Sequence, residues 1–175
     1  MPSALVEALL EVAPVFANLT PQEREELLKV AAEETYAAGF QIVSRGSMAR
    51  SLFVLAEGTV EVLEADGSDG SASLATLIPP CAFGEVTFFG GSPPVVTVRA
   101  LTDVRLLVIE RTGFDQLLGR QSLAAYKLAH NVVMKLGDHM RRIEVWMSEQ
   151  FSAATPDKRH KWLTFRAKLY EASEI

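Results

Sequence analysis

Residues 83–100 read FGEVTFFGGSPPVVTVRA. Small and glycine residues crowd the first half, and a β-branched run closes the second. The layout suits a loop that brings its backbone close to a phosphate. Its middle carries no cation.

The flanks of this stretch read as short strands. Upstream, SLFVLAEGTVEVLEADG offers two alternating runs joined at Glu57-Gly58, followed by a polar hairpin tip. Tyr36, Phe40, Ile42, Leu52, Val54, Val60, Val62, Leu74, Leu77 and Ile78 fall in β-type runs. Turn signals at 37–39, 45–47, 56–58 and 65–71 separate them. Downstream, VVTVRA and VRLLVIE add two more strands. Seven or eight short strands without intervening helices predict a mainly β domain with flanking helices, an antiparallel β-roll or jelly-roll barrel.

Helices bracket the strands. Leu5, Leu9 and Val12 recur at helical spacing before Pro14 interrupts. Thr20, Pro21 and Glu23 form a capping-box signature for a second helix with Leu27, Leu28 and Ala31 on its apolar face. After the strands, Phe114, Leu117 and Leu118 mark a short helix. Ser122 then opens a long one reaching about Gln150. Tyr126, Ala129, Val133, Leu136, Met140, Ile143 and Met147 keep a 3-4-3-4-3-4 spacing along it, a seam over about three heptads. This predicts a homodimer through residues 122–150; packing of the helix back on its own domain is the alternative. Thr155-Pro156-Asp157 restarts a helix. Trp162, Phe165 and Leu169 share one face of it, surrounded by Lys158, Arg159, Lys161, Arg166 and Lys168. The expected organisation is a β-domain with its helices over 1–120, the long helix over 121–150 and a basic amphipathic helix over 151–175.

Composition narrows the function classes. With 175 residues, 49 % apolar and 22 % charged, the chain can bury a sizeable core. No window approaches 18 uncharged apolar residues, so no transmembrane helix is expected. MPSALVEALLEVAPVF lacks a basic n-region and carries Glu7 and Glu11, which argues against a signal peptide. Cys81 is the single cysteine, expected as a buried inert thiol, and a cytoplasmic location fits. Residues 1–120 hold 8 Lys/Arg against 16 Asp/Glu, and residues 121–175 hold 9 against 6. The acidic body disfavours nucleic acid.

Catalytic patterns are missing. His130, His139 and His160 all fall on the C-terminal helices, so no metal site is expected among the strands. Neither a GxSxG elbow nor a Walker loop is present. Glu33-Glu34 looks like a solvated pair at a helix end. The chain is therefore expected to be no enzyme, with no cofactor.

Three pieces in order resemble the cyclic nucleotide-binding domain family over about residues 14 to 150. The first is VFANLTPQEREELLKVAAEETYAAGFQIVSRGSMARSLFVLAEGTVEV, with Gly39, Gly46 and Gly58 at the turn glycines. The second is FGE at 83–85 followed by Thr97-Val98, similar to the family's phosphate-binding cassette. The third is the short helix followed by the long one. The resemblance implies ligand contacts from Phe83, Gly84, Glu85, Val86, Pro94, Val95, Val96 and Thr97. Glu85 would accept a hydrogen bond from a ribose 2′-hydroxyl, and the backbone after Gly84 would face a cyclic phosphate. The family's arginine falls on Pro94, and its following small residues on Val95 and Val96. The cassette is thus degenerate at its cation. Arg99 and Arg50 are candidates to replace it. Phe88 and Phe89 are expected in the core.

The resemblance implies a stand-alone regulatory module that senses a cyclic nucleotide weakly, or another small ligand. The alternative is an interaction module that kept the fold, lost the ligand and works through a protein partner. A transcription regulator would need a further DNA-binding domain, which is not expected in the 25 or so residues after Gln150.

Overall fold

The computed structural model describes residues 3–48, 50–65, 71–152 and 156–171. Among them α1 (Ala4–Val12), a 3-10 turn (Pro14–Phe16) and α2 (Pro21–Leu28) precede the strands. Eight strands follow: β1 (Ala31–Tyr36), β2 (Gln41–Val43), β3 (Ser51–Glu57), β4 (Val60–Ala65), β5 (Ser71–Leu77), β6 (Cys81–Phe83), β7 (Thr97–Ala100) and β8 (Val104–Glu110). One helix, α3 (Glu85–Gly90), is inserted between β6 and β7. Helices α4 (Arg111–Gly119), α5 (Leu123–Ser152) and α6 (Pro156–Glu171) close the chain.

The antiparallel β-roll is present, but it is not a closed barrel. The strands divide into two four-stranded sheets, ordered β1-β8-β3-β6 and β2-β7-β4-β5. The two runs of SLFVLAEGTVEV do not pair with each other. The chain switches sheets at Gly58, where φ is +85° and an added Cβ would lie 2.3 Å from the Asp103 carbonyl oxygen. Only glycine fits that corner. β4 does pair with β5, and the connecting tip, 66–70, lies outside the described residues.

Period-two alternation sorts the side chains of β3 and β8 between two packed faces. Phe53, Leu55, Leu106 and Val108 join Val60, Phe83, Val98, Ala100 and Val104 between the sheets. Leu52, Val54, Leu107 and Ile109 alternate with them and are as fully buried. Helix α1 packs on β3, α2 on β1, and α4 on β8, so this outer face is covered by helices.

Local expectations shift in places. The face that α1 buries is Val6, Leu9 and Leu10, while Val12 is exposed. Leu5 and Val12 keep the same period but sit one step round the helix from the packed stripe. Ala31 belongs to β1, not to α2. Glu33 and Glu34 also lie in β1: Glu33 pairs with Arg105, and Glu34 accepts a hydrogen bond from the Tyr36 hydroxyl. Cys81 is half-buried rather than buried.

The capping box of α2 forms as read. The Thr20 hydroxyl accepts from the Glu23 N–H at 3.3 Å, and the Glu23 carboxylate accepts from the Thr20 N–H at 2.7 Å. The same carboxylate oxygen accepts from Lys127 Nζ on α5 at 2.8 Å. Further clasps hold the start of α5. The Ser122 hydroxyl donates to Glu26 at 2.5 Å, and the Asn131 amide donates to the carbonyls of Val15 and Ala17 at 3.0 and 2.9 Å. Between them Ala124, Ala125, Leu128 and Val132 are buried. The first turns of α5 therefore pack through a different stripe from the heptad seam.

Residues Met1–Val132 form one compact unit and Val133–Ile175 another. In the second, the rings of Phe151 and Trp162 stack at 5.0 Å and Phe165 lies 5.8 Å from Trp162. The side chains of Arg166, Lys168 and Leu169 lie outside the described residues. Among the described residues no helix is long and apolar enough to cross a membrane.

The Glu23–Lys127 contact is open to a pH test. The Lys127 ammonium, with the Thr20 backbone, holds the Glu23 carboxyl below its ordinary 4.5. A lowered folded-state pKa means stabilisation that is full above 4.5 and lost as pH falls below it. Lys127→Met should lower the thermal midpoint at neutral pH. The gap to wild type should close as pH drops from 4.5, read by circular dichroism melts across a pH series. A gap that stays constant down to low pH would contradict this.

Candidate functional site

Strand β6 lies against β3, with Phe83 opposite Phe53 and their rings stacked at 5.1 Å. The Phe83 side chain is thereby committed to the core. The chain then turns sharply at Gly84, which caps α3 in the left-handed conformation at φ +84°. A Cβ there would stand 2.6 Å from the Ser51 carbonyl oxygen and 3.1 Å from the Phe53 ring. Gly84 is thus required twice, by its dihedral and by its seat on β3.

Helix α3 carries Glu85 and Val86 in its first turn, and Val86 is exposed. Its inner side holds Phe88, fully buried, with Phe89 edge-on to it at 4.8 Å. Both rings meet Phe114 of α4, at 5.3 and 5.5 Å. Phe88 and Phe89 join α3 to α4, but only Phe88 is core as expected; Phe89 is half-buried at its edge.

The return arm, 91–97, is tied to the turn between β2 and β3. The Gly46 N–H donates to the Pro94 carbonyl at 2.8 Å, and the Arg45 N–H donates to the Thr97 hydroxyl at 3.3 Å. Val95 is exposed and Val96 half-buried before β7 begins. Phe83 to Val86 form one arm of the loop and Pro94 to Thr97 the other. Pro94 offers neither charge nor N–H to anything lying between them.

The two candidate replacement cations have different surroundings. Arg99 donates from Nε to Glu61 at 2.7 Å and from Nη2 at 2.5 Å, directly across the β7–β4 ladder. Its neighbours Val98 and Ala100 point into the core, so Arg99 lies on the opposite face of the sheet. Its charge is spent on a largely buried carboxylate. Arg50 instead reaches the cassette. Its Nε lies 3.4 Å from the Thr87 carbonyl oxygen and its Nη2 lies 3.0 Å from that of Phe88. Arg111, which sequence reading did not single out, donates to the same Phe88 carbonyl at 3.0 Å. Its guanidinium lies over the Phe88 and Phe114 rings at 5.7 and 5.6 Å. The Arg50 and Arg111 contacts span 37 and 23 residues, and no local pattern announces them.

A separate concavity of about 410 Å³ is lined by Thr35, Tyr36, Glu57, Asp103 and Arg105. Burial, then the bond to Glu34, pushes the Tyr36 hydroxyl up to about 12, so it stays protonated at neutral pH. No cassette residue lines this concavity. Among the described residues no group of three or more His, Cys, Asp or Glu is arranged to hold a metal ion.

Of the expected seam, Tyr126, Val133 and Met140 are 53 %, 60 % and 59 % exposed, and Ile143 is also exposed. Ala129, Leu136 and Met147 are half-buried.

A family model described as cyclic nucleotide-binding domain matches residues 33–121. The chain is 26 % identical over 115 residues to a cAMP-dependent protein kinase regulatory subunit of Blastocladiella emersonii, over 66 % of this chain and 28 % of that one. In structure it is similar to the catabolite activator protein of Thermus thermophilus, with a TM-score of 0.69 and 24 % identity over 78 % of this chain and 62 % of that one. It is also similar to the N-terminal domain of a transcriptional regulator from Streptomyces coelicolor A3(2). There the TM-score is 0.66 and the identity 27 %, over 75 % of this chain and 94 % of that one. The chain spans about a quarter of the length of the curated relatives it matches.

The seat of Gly84 can be tested directly. Gly84→Ala should cost roughly 1–3 kcal/mol or more, since it adds a strained dihedral and a backbone clash. Denaturant unfolding measures it, and an unchanged midpoint would show that β3 and the turn can move apart freely.

Proposed function

The chain belongs to the cyclic nucleotide-binding domain family, and from that premise we propose that it is a non-catalytic regulatory module whose cassette, 83–97, holds a small phosphate-bearing ligand weakly. The observation that carries this reading is the cassette itself. Gly84, α3 and the Pro94–Thr97 arm are built and tied down, while Pro94, by the resemblance to the family's loop, stands where a cation would. Glu85 and the backbone after Gly84 are the groups left to recognise a ligand. The similarity to cAMP-dependent kinase regulatory subunits supports a cyclic nucleotide as the first ligand to try.

Binding would act through α3. Its two phenylalanines pack on Phe114, so any shift of α3 presses on α4 and, through the short link at 120–122, on the start of α5. A ligand that prefers one position of α3 would shift the population of helix arrangements by its difference in affinity for them.

A second reading is an interaction module that has kept the fold without the ligand. What favours it is Pro94, which removes an ion pair and an N–H at one position. Calorimetric titration with cyclic AMP and cyclic GMP, on wild type beside Pro94→Arg, separates the two. An ion pair to a poorly solvated phosphate contributes roughly 2–5 kcal/mol. Pro94→Arg should therefore bind about 30-fold or more tightly than wild type. Measurable wild-type binding supports the ligand-sensing reading. Binding by the variant alone supports the second. Binding by neither overturns both accounts of the cassette.

The long helix is proposed as the self-association element. Tyr126, Val133, Met140 and Ile143 recur at heptad spacing along it and are exposed. Light scattering should give a dimer mass for wild type and a monomer mass for Leu136→Glu. A monomeric wild type would remove α5 as the interface.

A further inference from the structure

The cation missing at Pro94 has a counterpart across the loop, in Arg50. We propose that Arg50, reaching in from the β2–β3 connection, supplies the cassette with the positive charge that Pro94 does not, and that its guanidinium is the anion contact of a bound nucleotide phosphate. This rests on the ligand-sensing reading above.

Four observations carry it. First, the connection 44–50 embraces the loop at two points: Gly46 holds Pro94, and Arg50 holds Thr87 and Phe88. The vacated position and the guanidinium thus belong to one bracket. Second, Arg50 lies beside Gly91. A Cβ added there would be 3.6 Å from its Cζ and its Nη2, an ordinary contact distance, so the return of the loop passes directly against the guanidinium. Third, Arg50 differs from Arg111 in its charge balance. Arg111 has Asp115 at 2.8 Å, but among the described residues no carboxylate lies within ion-pair distance of Arg50. Fourth, its Nη1 group donates to no acceptor among the described residues, and it is not a buried orphan. Two N–H donors of a fixed planar fork therefore remain open to solvent.

The electrostatics point the same way. Arg50 and Arg111 converge on one carbonyl, that of Phe88. Two guanidinium groups so placed repel, and one carboxylate offsets one of them. A compact oxyanion beside Arg50 would relieve the imbalance, with charge-assisted bonds of the strong kind. The contacts to Thr87 and Phe88 hold the side chain in place, so little rotamer freedom remains to be lost on binding.

The test is a double-mutant cycle on the full chain with cyclic AMP and cyclic GMP, with inorganic phosphate as a separate probe. It compares wild type, Arg50→Gln, Pro94→Arg and the double variant. Arg50→Gln should weaken nucleotide binding by about tenfold or more in the wild-type background. In the Pro94→Arg background the loss should shrink to less than about threefold, because a second cation already serves the phosphate. Equal losses in both backgrounds would mean that Arg50 only supports α3, and would overturn the inference. So would unchanged affinity in Arg50→Gln. If Pro94→Arg binds and wild type binds neither nucleotide nor phosphate, Arg50 supplies no cation and the inference falls while the cassette stands as a site. If neither binds, the cassette reading itself falls with it. Phosphate binding that depends on Arg50 without any nucleotide binding would retain the anion contact and remove the nucleotide. Should Arg50→Gln not fold, the Arg50 Nε–H resonance of wild type gives the answer by NMR. It should shift on adding cyclic AMP, and a stationary resonance overturns the inference.

Discussion

From Leu52 to Leu55 four successive side chains of β3 are buried. A strand with packing on both faces cannot slip by one residue, because each side chain would exchange the inter-sheet core for the helical layer. This register constraint governs the rest. β8 pairs along one edge of β3 and β6 along the other. Gly84, one residue past β6, is thereby set against the Ser51 carbonyl, and Arg50, one residue before β3, is set under the end of α3. The cassette is positioned by where β3 sits.

Much of this was legible in the sequence, because it depends on local rules. The capping box at Thr20 and Glu23 is a four-residue pattern with a mechanism. The turn glycines and alternating runs announced a β-roll. What escaped involves long separations. Sheet membership is one case: Glu57-Gly58 looks like a hairpin from within, yet β3 and β4 belong to different sheets. The seat of α5 is another. It is built from Ala124, Ala125, Leu128 and Val132, whose alanines weigh little against the larger residues of the heptad seam. Its polar clasps to Glu23, Glu26, Val15 and Ala17 join residues about a hundred positions apart.

Charge is distributed with the same economy. The roll has few cations, and two of them, like Arg111 at the start of α4, are paired with a carboxylate. Arg99 reaches across the ladder to Glu61, Arg105 meets Glu33, and Arg111 meets Asp115. Cross-strand and i,i+4 pairs of this kind stabilise modestly where exposed. The Arg99–Glu61 pair is better shielded, and its two bonds to one oxygen fix the outer face of β7 just beyond the cassette. Against that background Arg50 is distinguished by having backbone partners but, among the described residues, no carboxylate.

The corners at Gly58 and Gly84 have a consequence for how such a domain can drift. Each glycine is enforced by a backbone oxygen that a Cβ would strike, at 2.3 and 2.6 Å. That requirement belongs to folding and would persist under selection for folding alone. Pro94 sits on a half-buried arm held by its own carbonyl, where a change of side chain leaves the backbone bond in place. The glycines that shape the loop and the side chain on its return arm are thus under separate constraints. Substitution at this position can change the charge the loop presents without disturbing the architecture around it.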